Sequence, residues 1–137
     1  MRLEGYLTAL QEAGIAPETV PAWEIPINSE EAGAEGARFL INRPERPTAI
    51  LAMSDRVAIG AMKTIRAAGL SIPQDVSIFG FDDIPAAATA DLSTIRQPHE
   101  QKGTEAVRLL MQQDGRQNVI LKTELVKRGS IGPAPQG

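Results

Sequence analysis

The chain has 137 residues and no cysteine. That excludes disulfides, thiolate catalysis and cysteine-based zinc sites, and it fits a reducing, cytoplasmic setting. Histidine is almost absent too, with His99 alone. No G-x-S-x-G nucleophile elbow accompanies it, so a histidine-based triad has no nucleophile. Gly5, Gly33 and Gly36 do not make the G-x-G-x-x-G that follows a strand in dinucleotide sites. No run approaches the roughly 20 apolar residues of a bilayer span, and MRLEGYLTALQEAG lacks the apolar h-region of a signal peptide. Positive charge is in deficit, with 14 Lys and Arg against 17 Asp and Glu and a net charge of −3. The nearest thing to a basic patch, Lys122, Lys127 and Arg128, is interrupted by Glu124, so the chain does not read as a stand-alone nucleic-acid binder. Nothing calls for a metal or a cofactor.

What is present is ordinary globular material. The chain is 42% hydrophobic and 23% charged, enough to bury one sizeable core without staples. Leu3, Tyr6, Leu7, Leu10 and Ala13 recur at i, i+3, i+4 and i+7, so residues 2–13 read as an amphipathic helix ending at Gly14. Residues 23–25 are a short strand candidate. Ser29 caps a helix predicted over 30–42, with Glu30 and Glu31 in its first turn. The apolar run TAILAM, residues 48–53, predicts a buried strand. A helix follows from about residue 56 to Gly69, and Ser54 or Asp55 is its cap. VSIF, residues 76–79, is a second buried strand, and 94–96 a third. Pro98, at a first helical position, opens a helix with Ala106, Val107, Leu110 and Met111 on one face. Residues 118–126 read as a last strand, and the Pro/Gly-rich segment 132–137 as a loose tail.

Strands alternating with helices argue for an α/β fold with a mostly parallel sheet flanked by helices. In such folds ligands sit beyond the carboxyl ends of the strands. Two polar pairs stand there, Ser54-Asp55 and Asp82-Asp83. Adjacent aspartates in an extended turn usually point apart, and no histidine spacing supports a metal, so the second pair is not an acid/base dyad or a metal site.

The stretch AILAMSDRVAIGAMKTIRAAGLSIPQDVSIFGFDDIP, residues 49–85, resembles the effector domain of the lactose/galactose repressor family. RLEGYLTALQEAGI at the start, LSTIRQPHEQKGTEAV at 92–107 and ELVKRGSIGP at 124–133 resemble the same family in the same order. Periplasmic sugar-binding proteins of transporters or chemoreceptors share the fold and a looser first motif, and they are the alternative. The resemblance implies a type I periplasmic-binding-protein-like lobe that is incomplete. Residues 1–97 correspond to the second lobe without its first strand. Residues 98–126 correspond to the final helix and strand returning to the first lobe, and 127–137 to a C-terminal tail. The function implied is sensing of a small sugar or metabolite by a transcription regulator, a binding module and not an enzyme. Operator DNA would be reached only through an N-terminal headpiece outside this sequence, and the intact protein is expected to be a homodimer.

Residue by residue, the resemblance places Arg2 at a ligand-clamping arginine, whose rigid fork of donors suits paired hydroxyls or a carboxylate. The bland reading is a solvated arginine at a frayed terminus. Asp82 matches an aspartate that accepts from ligand hydroxyls, although aspartate is also common in turns after strands. Ser54 matches a ligand-facing polar position and competes with Asp55 for the capping role. Asn28 stands where many relatives place an aromatic ring, so sugar stacking is lost there. Gln97 matches a cleft residue at the crossover between lobes, or is an ordinary linker glutamine. Ile59, Met62, Lys63, Pro85 and Ala86 match surfaces that pair in family dimers, with Ile59 off the best core stripe of its helix. Without the first strand, residues 23–25 and 48–53 are expected to face a gap with open strand edges.

Overall fold

The computed structural model describes residues 2–112 and 118–134. The elements run α1 (Arg2–Glu12), α2 (Glu30–Ile41), β1 (Ala49–Leu51), α3 (Asp55–Ala67), β2 (Ser77–Phe79), α4 (Pro85–Thr89), β3 (Thr94–Arg96), α5 (His99–Met111) and β4 (Glu124–Val126), with a 3-10 turn at Pro17–Thr19. β1 and β2 pair in parallel, with Ile50 opposite Ile78. β2 continues toward β3 through parallel bridges, Phe79 with Ser93 and Asp82 with Arg96. β3 and β4 are antiparallel, with Ile95 opposite Leu125. The sheet is thus α/β and mostly parallel, with an antiparallel edge.

The core lies where α2 and α3 cover β1 and β2. Met62, Ile65, Val76, Ile78 and Leu92 are fully buried, and each large side chain of this kind contributes about 1.5–3 kcal/mol on leaving water. Both helices start as their sequences dictate. Ser29 Oγ accepts from the Ala32 amide at 3.1 Å, and Ser54 Oγ accepts from the Val57 amide at 3.3 Å. Ser54, not Asp55, is therefore the cap of α3. The two helices touch backbone to backbone. A Cβ placed on Gly33 would meet the Val57 carbonyl, and one on Gly60 would meet the Glu30 carbonyl.

Several elements differ from their sequence expectation. Residues 23–25 form no strand. Trp23 instead turns onto Phe39 of α2, with ring centroids 4.8 Å apart. Between the segment 20–25 and β1 lies an apolar cavity of about 190 Å³, lined by Leu3, Tyr6, Trp23, Ile25, Ile50 and Met53 among others. β1 is an edge strand. Its Thr48, Ile50 and Ala52 backbone groups face β2, so those of Ala49 and Leu51 point toward the cavity. Neither bonds to another described backbone group, and Ala49 and Leu51 are exposed instead of buried.

Ile59 is only 8% exposed and Met62 1%, both within the core cluster. The expectation that Ile59 stands free on α3 is corrected, because the helix is apolar on more than one stripe and packs against both α2 and the sheet. α5 begins at His99, with Pro98 in the cap position. It buries none of its residues, so its apolar face, with Val107, Leu110 and Met111, is exposed. The last strand occupies only 124–126 of the expected 118–126. The short helix α4 is additional to the sequence reading.

The segment after β4 is fastened, not loose, as far as it is described. The Ile78 amide donates to the Ser130 carbonyl at 2.8 Å, Ser130 Oγ donates to the Ile78 carbonyl, and the Ser93 amide donates to Ser130 Oγ. The Gly132 amide donates to Ser77 Oγ. Residues 135–137 of the expected tail lie outside the described residues.

Candidate functional site

The carboxyl ends of β1 and β2 bring the candidate residues together. The chain leaves β2 through Gly80 and Phe81 and reaches two aspartates with positive φ, +113° at Asp82 and +55° at Asp83. Aspartate tolerates the left-handed region better than most residues, but the conformation still carries strain. It is held from both sides. The Asp82 amide donates to the Ile95 carbonyl and the Asp55 amide to the Phe81 carbonyl. The fully buried Asp55 carboxylate accepts from the Ile84 amide at 2.9 Å and from the Thr94 hydroxyl at 2.5 Å.

The two aspartates point to different partners. Asp82 Oδ1 accepts from Gln97 Nε2 at 2.5 Å and faces an Arg2 nitrogen at 3.5 Å. Asp83 is clasped between Arg96, whose Nε lies 2.6 Å away, and Arg128, at 2.8 Å. Burial opposes ionisation of Asp83, but the two guanidiniums outweigh it and hold the carboxyl below its usual value. A folded-state value below the unfolded one stabilises the protein above the unfolded value, and that contribution disappears as pH falls through the folded value. Wild type is therefore expected to lose more stability than Asp83→Asn on acidification below about pH 4. At pH 7 the variant is expected to be about 1–3 kcal/mol less stable, the scale of hydrogen bonds to a charged group. Urea titrations at pH 7, 4 and 3 measure both quantities, and parallel losses in the two proteins would refute the argument.

Arg2, on the first turn of α1, reaches back across the strand ends. It donates to the Met53 carbonyl at 2.5 Å, and its guanidinium carbon lies 4.0 Å from the Phe81 ring centroid. Ser54 Oγ already accepts from Val57 and donates its one proton to Asn28 Oδ1 at 2.5 Å. That turns the oxygen of the Asn28 amide to Ser54 and leaves its NH₂ as a donor. Arg2, Asp82 and Gln97 thus share one network past the ends of β1 and β2, and Asn28 and Ser54 form a separate bonded pair at the start of α3. Lys102 of α5 extends the network by donating to Gln97 Oε1, and His99 Nε2 lies 3.4 Å from the Asp82 carbonyl. Sequence reasoning passed over Phe81, the Met53 carbonyl and Lys102. Phe81 sits in the quoted GFDD string, but only the fold shows that Arg2 lies on it.

The dimer residues divide. Ile59 and Met62 belong to the core, Lys63 pairs with Glu30 of α2, and Pro85 and Ala86 are exposed on α4. Among the described residues no group of three or more His, Cys, Asp or Glu could hold a metal ion. No helix among them is long and apolar enough to cross a membrane.

Parallel strands with polar side chains past their carboxyl ends are the arrangement in which an open α/β sheet places a ligand. A family model described as a periplasmic binding protein-like domain matches residues 1–131. The ribose operon repressor of Haemophilus influenzae is 40% identical over 95% of this chain and 41% of its own length. The HTH-type transcriptional repressor CytR of Escherichia coli is 36% identical over 98% of this chain and 41% of its own. A solved transcriptional regulator, a CelR–cellobiose complex, superposes with a TM-score of 0.85 at 31% identity, over 94% of this chain and 41% of that one. The chain belongs to the periplasmic binding protein-like family, and the relatives it resembles are transcriptional repressors and regulators. It spans about two fifths of the length of these curated relatives.

Proposed function

We propose that this chain is the ligand-sensing part of a DNA-binding transcription regulator, and that its effector is a small polyol such as a sugar. The observation that carries the reading is the network of Arg2, Asp82 and Gln97 past the strand ends, with the bonded pair Ser54–Asn28 at the start of α3 as a second polar group. Asp82 supplies an acceptor for hydroxyl protons, while Arg2 and the NH₂ of Asn28 supply donors. The relatives are repressors, which favours a regulator over a transporter component. No nucleophile–base pair stands in the network, which favours binding over catalysis. DNA contact, dimerisation and a cytoplasmic location belong to the intact regulator in this reading. Residues 1–97 form one wall of the effector cleft, 98–126 lead to the other lobe and 127–137 follow as the tail. A ligand bridging the lobes would shift their orientation and so change operator affinity. With Ile59 and Met62 in the core, the dimer surface centres on Lys63, Pro85 and Ala86.

The test is a calorimetric and thermal-shift panel of pentoses, hexoses and disaccharides, with ribose and cellobiose included. At least one sugar is expected to bind, and Asp82→Ala to weaken it roughly 10-fold or more, the scale of a lost charged hydrogen bond. Binding that survives in both Asp82→Ala and Arg2→Ala, or no binding across the panel at millimolar sugar, the weak end of measurable affinity, would overturn the reading.

A further inference from the structure

We propose that Phe81 is a positioning residue, whose ring face together with the Met53 carbonyl holds the Arg2 guanidinium beside Asp82 before any ligand arrives. The inference rests on the reading that Arg2 and Asp82 face the effector, but its test needs no ligand, so the two can fail separately.

Arg2 is exposed over 42% of its side chain. An arginine so placed, on a helix with no buried residue, has nothing of its own to fix its many rotamers. Two contacts, one from each strand end, do so here. One nitrogen donates to Met53 at 2.5 Å, just past β1. The plane of the cation lies over Phe81, just past β2, at 4.0 Å, well inside the range of a cation–π contact. The approach to Asp82 is looser, because 3.5 Å exceeds the 2.7–2.9 Å typical of a charge-assisted hydrogen bond. Asp82 therefore is not what holds Arg2 in place. Its Oδ1 is engaged by Gln97, and its Oδ2 accepts from no described residue. Phe81 and Met53 thus set an unsaturated acceptor beside uncommitted guanidinium donors. A ligand hydroxyl, with one proton to give and lone pairs to offer, satisfies both. Fixing the arm beforehand also lowers the ordering entropy that binding would otherwise cost.

Phe81 is itself held. Its carbonyl accepts from the Asp55 amide, and the ring is half-buried. A ring that merely filled space could be replaced by another apolar side chain without moving Arg2. A ring that acts through its π face could not.

The experiment is solution NMR of the isotopically labelled full chain without ligand. Arg2 side-chain signals are assigned by their disappearance in Arg2→Lys. In the wild type the Arg2 δ and ε protons are expected upfield of those of the exposed Arg46, as ring current over Phe81 requires, with nuclear Overhauser contacts to the ring. Phe81→Tyr, which keeps the π face, is expected to retain the shift. Phe81→Leu, which keeps apolar bulk alone, is expected to return Arg2 to the position of an exposed arginine. If Phe81→Leu fails to fold, the wild-type spectrum still decides. Arg2 signals coincident with those of Arg46 in the wild type, or upfield signals unmoved in a folded Phe81→Leu, would overturn the proposal.

Discussion

Gly33→Ala and Gly60→Ala are each expected to destabilise the chain by about 3 kcal/mol, the upper part of the usual cost of overpacking. The reason is the reciprocal seam between α2 and α3. Each glycine faces a backbone carbonyl of the other helix, Val57 for Gly33 and Glu30 for Gly60. A side-chain tip can swing away from a new methyl group, but a carbonyl within a helix cannot. The helices must separate, and separation loosens the layer of Ala37, Val57 and Ala61 beneath them. The opposing gain, about 1 kcal/mol of helix propensity for alanine over glycine, is smaller. Gly5 of α1 provides the control, since a Cβ there meets nothing within 4 Å. Gly5→Ala is expected to leave stability unchanged or raise it by about 0.5–1 kcal/mol. Urea and thermal unfolding followed by circular dichroism compare the three. The seam would be disproved by Gly33→Ala and Gly60→Ala behaving like Gly5→Ala.

Asp55→Ala is expected to cost about 2–5 kcal/mol and to weaken effector binding as well. Asp55 is fully buried, with its two oxygens divided between the Ile84 amide and the Thr94 hydroxyl. Removing the carboxylate leaves both donors without their acceptor, and each buried unsatisfied group costs about 1–3 kcal/mol. Asp55→Asn keeps one acceptor oxygen and is expected to fall between the two. The functional loss has a separate origin. The bond from Ile84 to Asp55 closes the turn that holds Asp82 at positive φ, so its release lets the carboxylate of Asp82, proposed above to face the effector, drift. Melting curves of the three proteins, with binding of whichever sugar the panel identifies, give both readouts. An Asp55→Ala protein within about 1 kcal/mol of wild type, the ordinary effect of a point mutation, would show that the two donors find water instead.

The features legible in the sequence were those that local chemistry decides. Ser29 and Ser54 announce their helices because a hydroxyl at an N-cap satisfies an otherwise orphaned amide, and α2 and α3 begin where those caps place them. The apolar runs at 48–53 and 76–79 fell on β1 and β2 for the same reason. The convergence of Asp82 on the strand ends followed from the alternation of strands and helices. The illegible features depend on what lies across from a residue. A strand needs a partner, and residues 23–25 face a cavity instead of a ladder. Ile59 looks peripheral on its own helix, but α2 and the sheet enclose that helix from two sides. The stacking of Arg2 on Phe81 joins residues 79 positions apart, which no spacing rule spans. The α5 face was legible as a face, but periodicity does not say whether anything covers it.

Ser130 has a consequence for the order of events during synthesis. It bonds to Ile78, 52 residues earlier, and to Ser93, 37 residues earlier. Elsewhere, among the described residues, β2 and β3 are joined by isolated bridges. A nascent chain that has released β1, β2 and β3 from the ribosome therefore still has this seam open at Ile78. α2, α3 and β2 can pack early, since their contacts are comparatively local. The Ile78 end of the seam closes only after Ser130 emerges, whereas the ends that bear Asp82 and Gln97 bond to each other directly. A chain that stalls before Ser130 therefore leaves the Ile78 amide and carbonyl without these partners.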